Sequence, residues 1–193
     1  MKNGLRNGKG IFEYKEGLER KRYEGEWKND IINGKGIMLY SNGDKYEGEW
    51  KNDKEEGKGI IIYNEKDEKK RKKYDGEWKN GNKEGKGIIE WKYGDKYDGE
   101  MKDNKVEGLG DYEWKDGKRY FGFFLNNKFN GKGIYYYKNG ERYEGDWVNG
   151  KKEGKGAHYY KNGDITIGNY VNNKPKGIFA KLSEDGKVDK IEY

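Results

Sequence analysis

Very few side chains in this sequence are suited to catalysis. The chain has one histidine (His158), one threonine (Thr166), two serines (Ser41 and Ser183) and no cysteine. A nucleophile, a base and a third group that orients the base cannot readily be assembled from this set. Without cysteine, disulfides and thiolate metal sites are excluded as well. The inventory predicts a protein that is not an enzyme and that holds neither a metal nor another cofactor.

Paired glycines are the remaining candidates for chemistry, because glycine-rich loops can cradle phosphate groups. The segment Gly81 to Gly87, which reads Gly-Asn-Lys-Glu-Gly-Lys-Gly, comes closest to a P-loop. A P-loop ends in Ser or Thr and opens a helix, and both features are absent here. The many carboxylates lie beside lysines, and cross-strand Glu–Lys pairs explain them without a general acid.

A repeat runs along almost the whole chain, and its fold must position the glycines and carboxylates just described. Its first signature is Tyr-x-Gly-x-Trp, and its second is Gly-x-Gly, which starts eleven residues after the Tyr. Most copies are 23 residues apart, as from Tyr23 to Tyr46, and a fixed period of this length predicts a stack of small structural units. The structural residues of the first signature are Tyr23, Gly25, Trp27, Tyr46, Gly48, Trp50, Tyr74, Gly76, Trp78, Tyr97, Gly99, Tyr143, Gly145 and Trp147.

The composition of the 193 residues gives two opposing signals. Only 31% are hydrophobic and 40% are charged, which by itself favours disorder. The chain also has 18 Tyr, 6 Trp and 6 Phe, and many of these rings recur at the fixed interval. We therefore predict a folded chain with a thin core built from rings. The net charge of +6 gives a mild bias toward acidic partners.

The alternation within one copy is that of a β-strand. Tyr23, Gly25 and Trp27 alternate with Glu24 and Glu26, so that one face carries rings and the other carries charge. Four pairs between strands tolerate positive φ, as tight hairpin turns require. They are Asn42-Gly43, Asp116-Gly117, Asn139-Gly140 and Asn162-Gly163. We predict an all-β fold without helices, an elongated single-layer antiparallel meander of consecutive hairpins that forms a twisted rod of roughly fifteen strands.

Glycine inside a strand normally reduces stability, so its recurrence needs a reason. We expect each strand glycine to leave an open floor on which a ring from the neighbouring strand lies. Two columns of large residues follow the second signature, and we expect their rings to stack on one another as the core. The first column is Phe12, Met38, Ile61, Ile89, Tyr112, Tyr135 and His158, and the second is Tyr14, Tyr40, Tyr63, Trp91, Trp114, Tyr137 and Tyr160.

The paired signature resembles the MORN (membrane occupation and recognition nexus) repeat. Tyr-Glu-Gly-Glu-Trp-Lys-Asn at 46–52, followed by Glu-Gly-Lys-Gly-Ile at 56–60, carries the resemblance, which covers about residues 7–179. Choline-binding repeats combine the same residue types but lack the paired signature. The resemblance implies a rod of hairpins that acts as a scaffold. Similar proteins occur in cytoskeletal assemblies, including the radial-spoke heads of cilia, and some of them form dimers.

Departures from the repeat suggest three regions. Residues 1–14 form half a repeat as an N-terminal cap, whose missing strand is absent or supplied by another chain. Residues 15–165 form the rod, with an inserted loop at 64–73. Residues 166–193 form a degenerate repeat and tail, in which Thr166 replaces the Tyr and Phe179 replaces the second Gly. Met101 stands in the Trp position of the fourth copy.

Two features are candidates for recognition. The inserted loop is either a solvated long hairpin loop or a basic contact for an acidic partner or anionic lipid headgroups. Near the C-terminal end, strand alternation turns Phe121, Phe123 and Tyr136 away from the ring face, where an apolar patch favours a protein contact. The partner-binding candidates are Phe121, Phe123, Phe124, Phe129, Tyr136, Lys69, Lys70, Arg71, Lys72 and Lys73.

The sequence therefore favours a non-enzymatic scaffold that binds proteins in a cytoskeletal assembly, with a ciliary or axonemal setting that rests on the resemblance. A homodimer, or a pair with another MORN protein, fits the same hypothesis. The alternative is a peripheral membrane tether for phosphoinositides. Nucleic acid is disfavoured, because the rings are committed to the core. No apolar run reaches the length of a membrane span, and residues 1–14 contain no secretory segment, so an intracellular location is expected.

Overall fold

The chain folds as a succession of antiparallel strands. The computed structural model describes residues 4–193, and residues 1–3 of the predicted N-terminal cap lie outside that range. The strands are β1 (Gly8–Glu13), β2 (Arg20–Lys28), β3 (Ile31–Tyr40), β4 (Lys45–Lys51), β5 (Lys54–Ile62), β6 (Arg71–Lys79), β7 (Asn82–Trp91), β8 (Lys96–Lys102), β9 (Lys105–Glu113), β10 (Arg119–Leu125), β11 (Lys128–Tyr136), β12 (Arg142–Val148), β13 (Lys151–Tyr159), β14 (Ile165–Val171), β15 (Lys174–Leu182) and β16 (Val188–Glu192).

Each strand is hydrogen-bonded to its neighbours in the sequence, in the order β1 to β16 within one sheet. No helix occurs in residues 4–193. The predicted all-β meander of consecutive hairpins is confirmed. Its contacts divide the chain into two units, which we describe separately. Unit 1 runs to Gly94 and includes Glu100–Lys105, and unit 2 comprises Asp95–Gly99 and Val106–Tyr193.

Two kinds of turn join the strands, and the four predicted Asn-Gly and Asp-Gly pairs form one of them. At Asn42-Gly43 the glycine alone has positive φ (91°), in a three-residue loop closed by the hydrogen bond from Tyr40 N to Asp44 O (2.9 Å). The two-residue turns with positive φ lie elsewhere. They are Asn29-Asp30, Asn52-Asp53, Asn80-Gly81, Asp103-Asn104, Asn126-Asn127, Asn149-Gly150 and Asn172-Asn173. Asn and Asp occupy them because their short side chains tolerate this conformation.

Side chains of the two-residue turns connect one repeat to the one before it. The Asp53 carboxylate accepts a hydrogen bond from the backbone N–H of Ile32 (2.9 Å), and Asp53 N donates to Ile32 O (3.1 Å). In unit 2, Asn127 Oδ1 accepts from Val106 N (2.8 Å), and Asn127 N donates to Val106 O (3.0 Å). These turns therefore satisfy backbone groups that would otherwise face solvent.

The glycines are covered by rings, as expected, but the rings come from the first signature. The Tyr23 side chain lies over Gly25 of its own strand and Gly36 of the next, and a Cβ at Gly36 would stand 2.6 Å from Tyr23 Cε2. Its hydroxyl then reaches Glu26 O (3.2 Å), beside the register shift between Gly25 and Trp27. A Tyr at this position therefore donates a hydrogen bond to that carbonyl, which a Phe could not do. Equivalent Tyr residues are fully buried at Tyr46, Tyr74, Tyr97, Tyr120 and Tyr143.

The core of unit 1 alternates Tyr with Trp, so the prediction that the column rings stack on the copies above and below was wrong for this unit. Tyr23 contacts Trp27 and Trp50 edge to face, with centroids 5.1 and 5.6 Å apart. Tyr46 contacts Trp50 and Trp78 in the same way, at 5.1 Å from each. Edge-to-face geometry places the positive ring edge against the negative face of the next ring. The columns after the second signature flank this core, and Phe12 among them is exposed.

Unit 2 continues the same edge-to-face arrangement, with Trp147 in one Trp position and other residues in the rest. Phe124 contacts Tyr97 and Tyr120 at 5.3 and 5.2 Å, and Tyr170 contacts Tyr143 at 5.0 Å. In the degenerate last copy, Phe179 fills the space above Gly168, which a Tyr fills in the other copies. The division into regions 1–14, 15–165 and 166–193 remains a prediction.

Candidate protein-binding surfaces

The inserted loop of unit 1 is anchored by its own charges. It runs from Tyr63 to Lys70, between β5 and β6. Asp67 Oδ2 accepts from Arg71 N (2.8 Å), and Asp67 Oδ1 pairs with Arg71 Nη2 (2.6 Å), so hydrogen bonds from Arg71 lower the pKa of Asp67. The Arg71 guanidinium also lies 3.8 Å from the centroid of the Tyr63 ring. Arg71 therefore stabilises the loop and is not a free basic contact.

The remaining basic candidates divide into two pairs. Lys72 pairs with Glu90 (3.1 Å), and Lys73 pairs with Asp75 (3.3 Å). Lys69 and Lys70 are exposed, and neither forms an ion pair with a carboxylate in residues 4–193. The loop thus presents fewer available charges than its sequence suggests.

The aromatic candidates of unit 2 lie on two faces of the sheet. Phe121 and Phe123 point away from the ring face, 40% and 51% exposed. Tyr136 shares that outer face at a half-buried position, 5.8 Å from the Arg119 guanidinium. Phe124 is only 5% exposed, so it is a core residue and not part of an outer surface. Phe129 lies on the ring face, stacked on Tyr120 at 3.8 Å, and is unavailable to that surface as well.

Apolar neighbours extend the outer patch around the two phenylalanines. Leu109 on β9 pairs with Phe123, and Ile134 on β11 pairs with Phe121. Leu109 is 40% exposed. We call these four residues, Leu109, Phe121, Phe123 and Ile134, the aromatic surface. They form a contiguous apolar area on the outer face, which elsewhere carries charged residues and single isoleucines such as Ile11 and Ile167.

Phe123 replaces a residue that has a structural role in other copies. Glu49, at the corresponding position, lies against Gly57 and accepts a hydrogen bond from Lys58 N (3.3 Å). The Phe123 ring cannot accept that hydrogen bond. The Cβ of Phe123 packs against Gly131, 3.5 Å from the position that a Cβ at Gly131 would occupy. The substitution therefore removes a local polar contact and leaves a ring in solvent.

A groove on the ring face of unit 1 was not foreseen from the sequence. It encloses about 370 Å³, and Tyr40, Tyr63, Arg71, Trp78 and Lys83 are among its lining residues. Burial lowers the pKa of Lys83 to about 8. The only sign of this groove in the sequence is that Lys83 stands at the position of Ile32 and Val106 in other copies. Strand alternation alone does not show that Lys83 is buried.

His158 occupies the core column, as interpreted from the sequence. Its Nε2 lies 3.2 Å from Glu141 Oε2, and its ring is between Tyr137 and Tyr160. Burial lowers the pKa of His158. No group of His, Cys, Asp and Glu in residues 4–193 has the arrangement of a metal site. The same residues contain no helix that is long and apolar enough to cross a membrane.

Seven segments of the chain match the family model of the MORN repeat. They are residues 1–19, 23–45, 46–67, 74–96, 97–119, 120–142 and 143–165. The segments make up more than half of the chain, which therefore belongs to the MORN-repeat family. The degenerate copy from residue 166 onward is not among the matched segments.

Two solved structures are similar to the chain. The TCP domain of SAS-4 (dCPAP) of Drosophila melanogaster, in complex with a proline-rich motif of Ana2 (dSTIL), is similar with a TM-score of 0.52 and 12% identity, over 84% of this chain and 88% of that one. The TCP10 domain of Danio rerio CPAP, in complex with a STIL peptide, has a TM-score of 0.30 and 11% identity over 95% and 100% of the two chains. The first similarity shows a shared fold. No curated protein sequence matches the chain.

Proposed function

We propose that this MORN-repeat chain is a non-enzymatic scaffold that binds a protein partner through the aromatic surface of unit 2. The observation that carries the proposal is the exposure of Phe121 and Phe123 at positions where every other copy except the degenerate last one has Glu or Asp. Exposed rings on a sheet face are characteristic of protein contacts, because burying each ring in an interface removes a large apolar area from water.

The location that fits this proposal is a cytoskeletal assembly inside the cell, with a radial-spoke-like role in a cilium or axoneme as the specific form. The resemblance to cytoskeletal MORN scaffolds supports it. A domain of similar fold, that of SAS-4, was solved with a proline-rich motif of Ana2, so a sheet of this kind can hold a peptide. The partner is a different protein, another MORN protein or a second copy of this chain.

A membrane tether is the second candidate, and the basic loop is the feature that favours it. Lys69 and Lys70 are available for anionic lipid, and each such charge contributes about 1 kcal/mol near an anionic surface. The pairing of Arg71 with Asp67 and of Lys72 with Glu90 reduces the total. Lys69→Glu/Lys70→Glu should leave co-sedimentation with phosphoinositide vesicles unchanged, and loss of co-sedimentation would support the tether.

The scaffold proposal is tested by capture of native partners on the full chain and on Phe121→Glu/Phe123→Glu. Glu is the residue of other copies at the Phe123 position, so the variant should fold with a change in stability within about 0.5 kcal/mol. We expect it to lose the partners that the unaltered chain retains in moderate salt. Light scattering on both proteins shows whether a second copy is the partner.

Ile167→Glu is the matched control, because Ile167 occupies the position of Phe121 in the last copy and is also exposed. It should retain the partners. Equal capture by the unaltered chain and by the Phe121/Phe123 variant would contradict the aromatic surface as the binding site.

A further inference from the structure

The groove on the ring face of unit 1 holds a lysine without an ion-pair partner and a hydroxyl without a hydrogen-bond partner. Lys83 is 7% exposed, and Tyr63 is 5% exposed. The Lys83 ammonium forms no ion pair within residues 4–193 and instead lies 5.3–5.6 Å from the ring centroids of Tyr63, Tyr74 and Trp78. The Tyr63 hydroxyl is buried and has no hydrogen-bond partner in the described part of the chain. Buried polar groups are nearly always paired, so the Tyr63 hydroxyl indicates a ligand, and the Lys83 ammonium in the same groove is available to bind it.

The charges that act on Lys83 favour an anion. The pKa of Lys83 is lowered to about 8, mainly by burial and then by the positive charges of Arg71 and Lys69, which together outweigh the opposite effect of Asp67 and Asp44. The inserted loop carries Lys69 and Asp67 and leads into Arg71, so it contributes charges of both signs, of which the positive ones act more strongly on Lys83. A buried ammonium in such a field gains most from a carboxylate that forms a charge-assisted hydrogen bond.

The walls of the groove limit the charge of that anion. Glu19, Asp44 and Glu55 also line it. Glu55 accepts a hydrogen bond from the Tyr40 hydroxyl, and Asp44 accepts from Asn64 N (2.8 Å), so neither is directed at Lys83. Their charge still disfavours a doubly charged phosphate relative to a singly charged carboxylate. The volume is at the low end of the roughly 300–1,000 Å³ of ligand pockets, which suits one side chain.

We propose that this groove binds a glutamate or aspartate side chain of a protein partner, with Lys83 and Tyr63 donating hydrogen bonds to its carboxylate. The proposal rests on the proposed scaffold function, since it adds a second contact for a protein partner. The Arg71 guanidinium packs on the Tyr63 ring, and the rings of Tyr74 and Trp78 lie beside the ammonium group.

The test uses the full chain with ¹³C-labelled lysine and N-acetyl-glutamate α-amide as the probe. The Cε signal of Lys83, assigned with Lys83→Met, should shift saturably as the probe is added, with a Kd on the order of 1 mM for so small a ligand. The neutral N-acetyl-glutamine α-amide should produce no such shift. The bound carboxylate should also raise the pKa of Lys83, because an opposite charge favours the protonated form.

Tyr63→Phe keeps the ring and removes the hydroxyl, so it should weaken probe binding about fivefold while the chain stays folded. Lys152→Met is the matched control, because Lys152 lies among Tyr137, Tyr143 and Tyr170 in unit 2, outside the groove, and it should leave probe binding unchanged.

Equal binding of the glutamine amide, tighter binding of inorganic phosphate, or no saturable shift at Lys83 would each overturn the carboxylate site. The probe requires neither the native partner nor Phe121 and Phe123. Its failure is therefore distinct from failure of the scaffold proposal.

Discussion

The ring of Phe179 lies directly over Gly168, so that a Cβ at residue 168 would stand 2.6 Å from Phe179 Cδ1. In the earlier copies this space is filled by the Tyr of the first signature, which lies on the same strand as the first covered glycine. Tyr143 on β12, for example, covers Gly145 of its own strand and Gly156 of β13. Thr166 is too short to reach it, and Phe179 reaches it from β15. The two departures in the last copy therefore compensate each other.

Replacing these two residues by those of the earlier copies tests the compensation. Phe179→Gly alone should destabilise the protein by about 3 kcal/mol or more, because it leaves a cavity over Gly168. Thr166→Tyr alone should destabilise by about 1–3 kcal/mol, because its ring would collide with Phe179. Thr166→Tyr/Phe179→Gly restores the residues of the other copies and should recover most of both losses. Denaturant unfolding measures all four proteins, and additive losses in the double variant would contradict the compensation.

The covered glycines should not accept a side chain. Gly36→Ala places a Cβ against the Tyr23 ring, and we expect a loss of about 2–3 kcal/mol in the free energy of unfolding. Gly10→Ala is the matched control, since Gly10 is the same residue of the repeat, with Trp27 3.8 Å from its Cβ position and no Tyr above it. Its effect should stay within about 0.5 kcal/mol. Equal losses in thermal unfolding would refute the assignment of the space to the Tyr ring.

The turn side chains should contribute measurably to the links between repeats. Asn127→Gly keeps the positive φ of 64° and removes the acceptor for Val106 N, so a loss of about 1 kcal/mol is expected. Asn127→Ala should lose about 1 kcal/mol more, because Ala does not favour this conformation. The reverse change, Gly150→Asn, supplies an acceptor that this turn lacks and should not destabilise. If Asn127→Gly left the free energy of unfolding in urea unchanged, the hydrogen bond from Val106 N to the Asn127 side chain would contribute nothing to stability.

Stability should rise with pH between about 8 and 10. Burial lowers the pKa of Lys83 and of Lys152 to about 8, from an ordinary value of 10.5 that applies to the unfolded chain. In this window the unfolded chain binds more protons than the folded one, so raising the pH favours folding. Lys83→Met/Lys152→Met should abolish the rise. Urea unfolding at several pH values measures this rise in the free energy of unfolding. If the rise persisted in the double variant, groups other than Lys83 and Lys152 would be its cause.

Above pH 10 the trend should reverse. Burial raises the pKa of Tyr23 to about 12, from an ordinary value of 10.0, and raises the pKa of Tyr46, Tyr74, Tyr120 and Tyr143 as well. The folded chain then retains protons that the unfolded chain loses, so stability falls as the pH rises from 10 through 12. Absorbance at 295 nm should show these tyrosines ionising together with unfolding. Ionisation well before the loss of β-structure would contradict their burial.

Much of the fold follows from particular residues of the sequence. The alternation of Tyr23, Gly25 and Trp27 with glutamates specifies a strand and its two faces, because side chains in a strand point to opposite faces in turn. The same reasoning separates Phe121 and Phe123 from the ring face. It did not exclude Phe124 or Phe129 as surface residues, because alternation gives the face of a side chain and not what covers it.

The turns show a second limit. Asn42-Gly43 has the composition of a two-residue turn, yet the neighbouring Tyr40–Asp44 hydrogen bond gives it three residues. Local preferences select residues that tolerate positive φ, but the registration of the flanking strands decides the loop length. Lys83 is similar, because its burial depends on Tyr63 and Trp78, which reach it from other strands.

By itself, the sequence determined the period, the strands, the ring-bearing face and the family, because each depends on residues close together in the chain. The tertiary structure decided which ring fills each glycine space, how Phe179 compensates for Thr166, and which basic side chains are neutralised. Those outcomes depend on distances between strands, where a ring or a charge is taken up by whichever neighbour the register brings within reach.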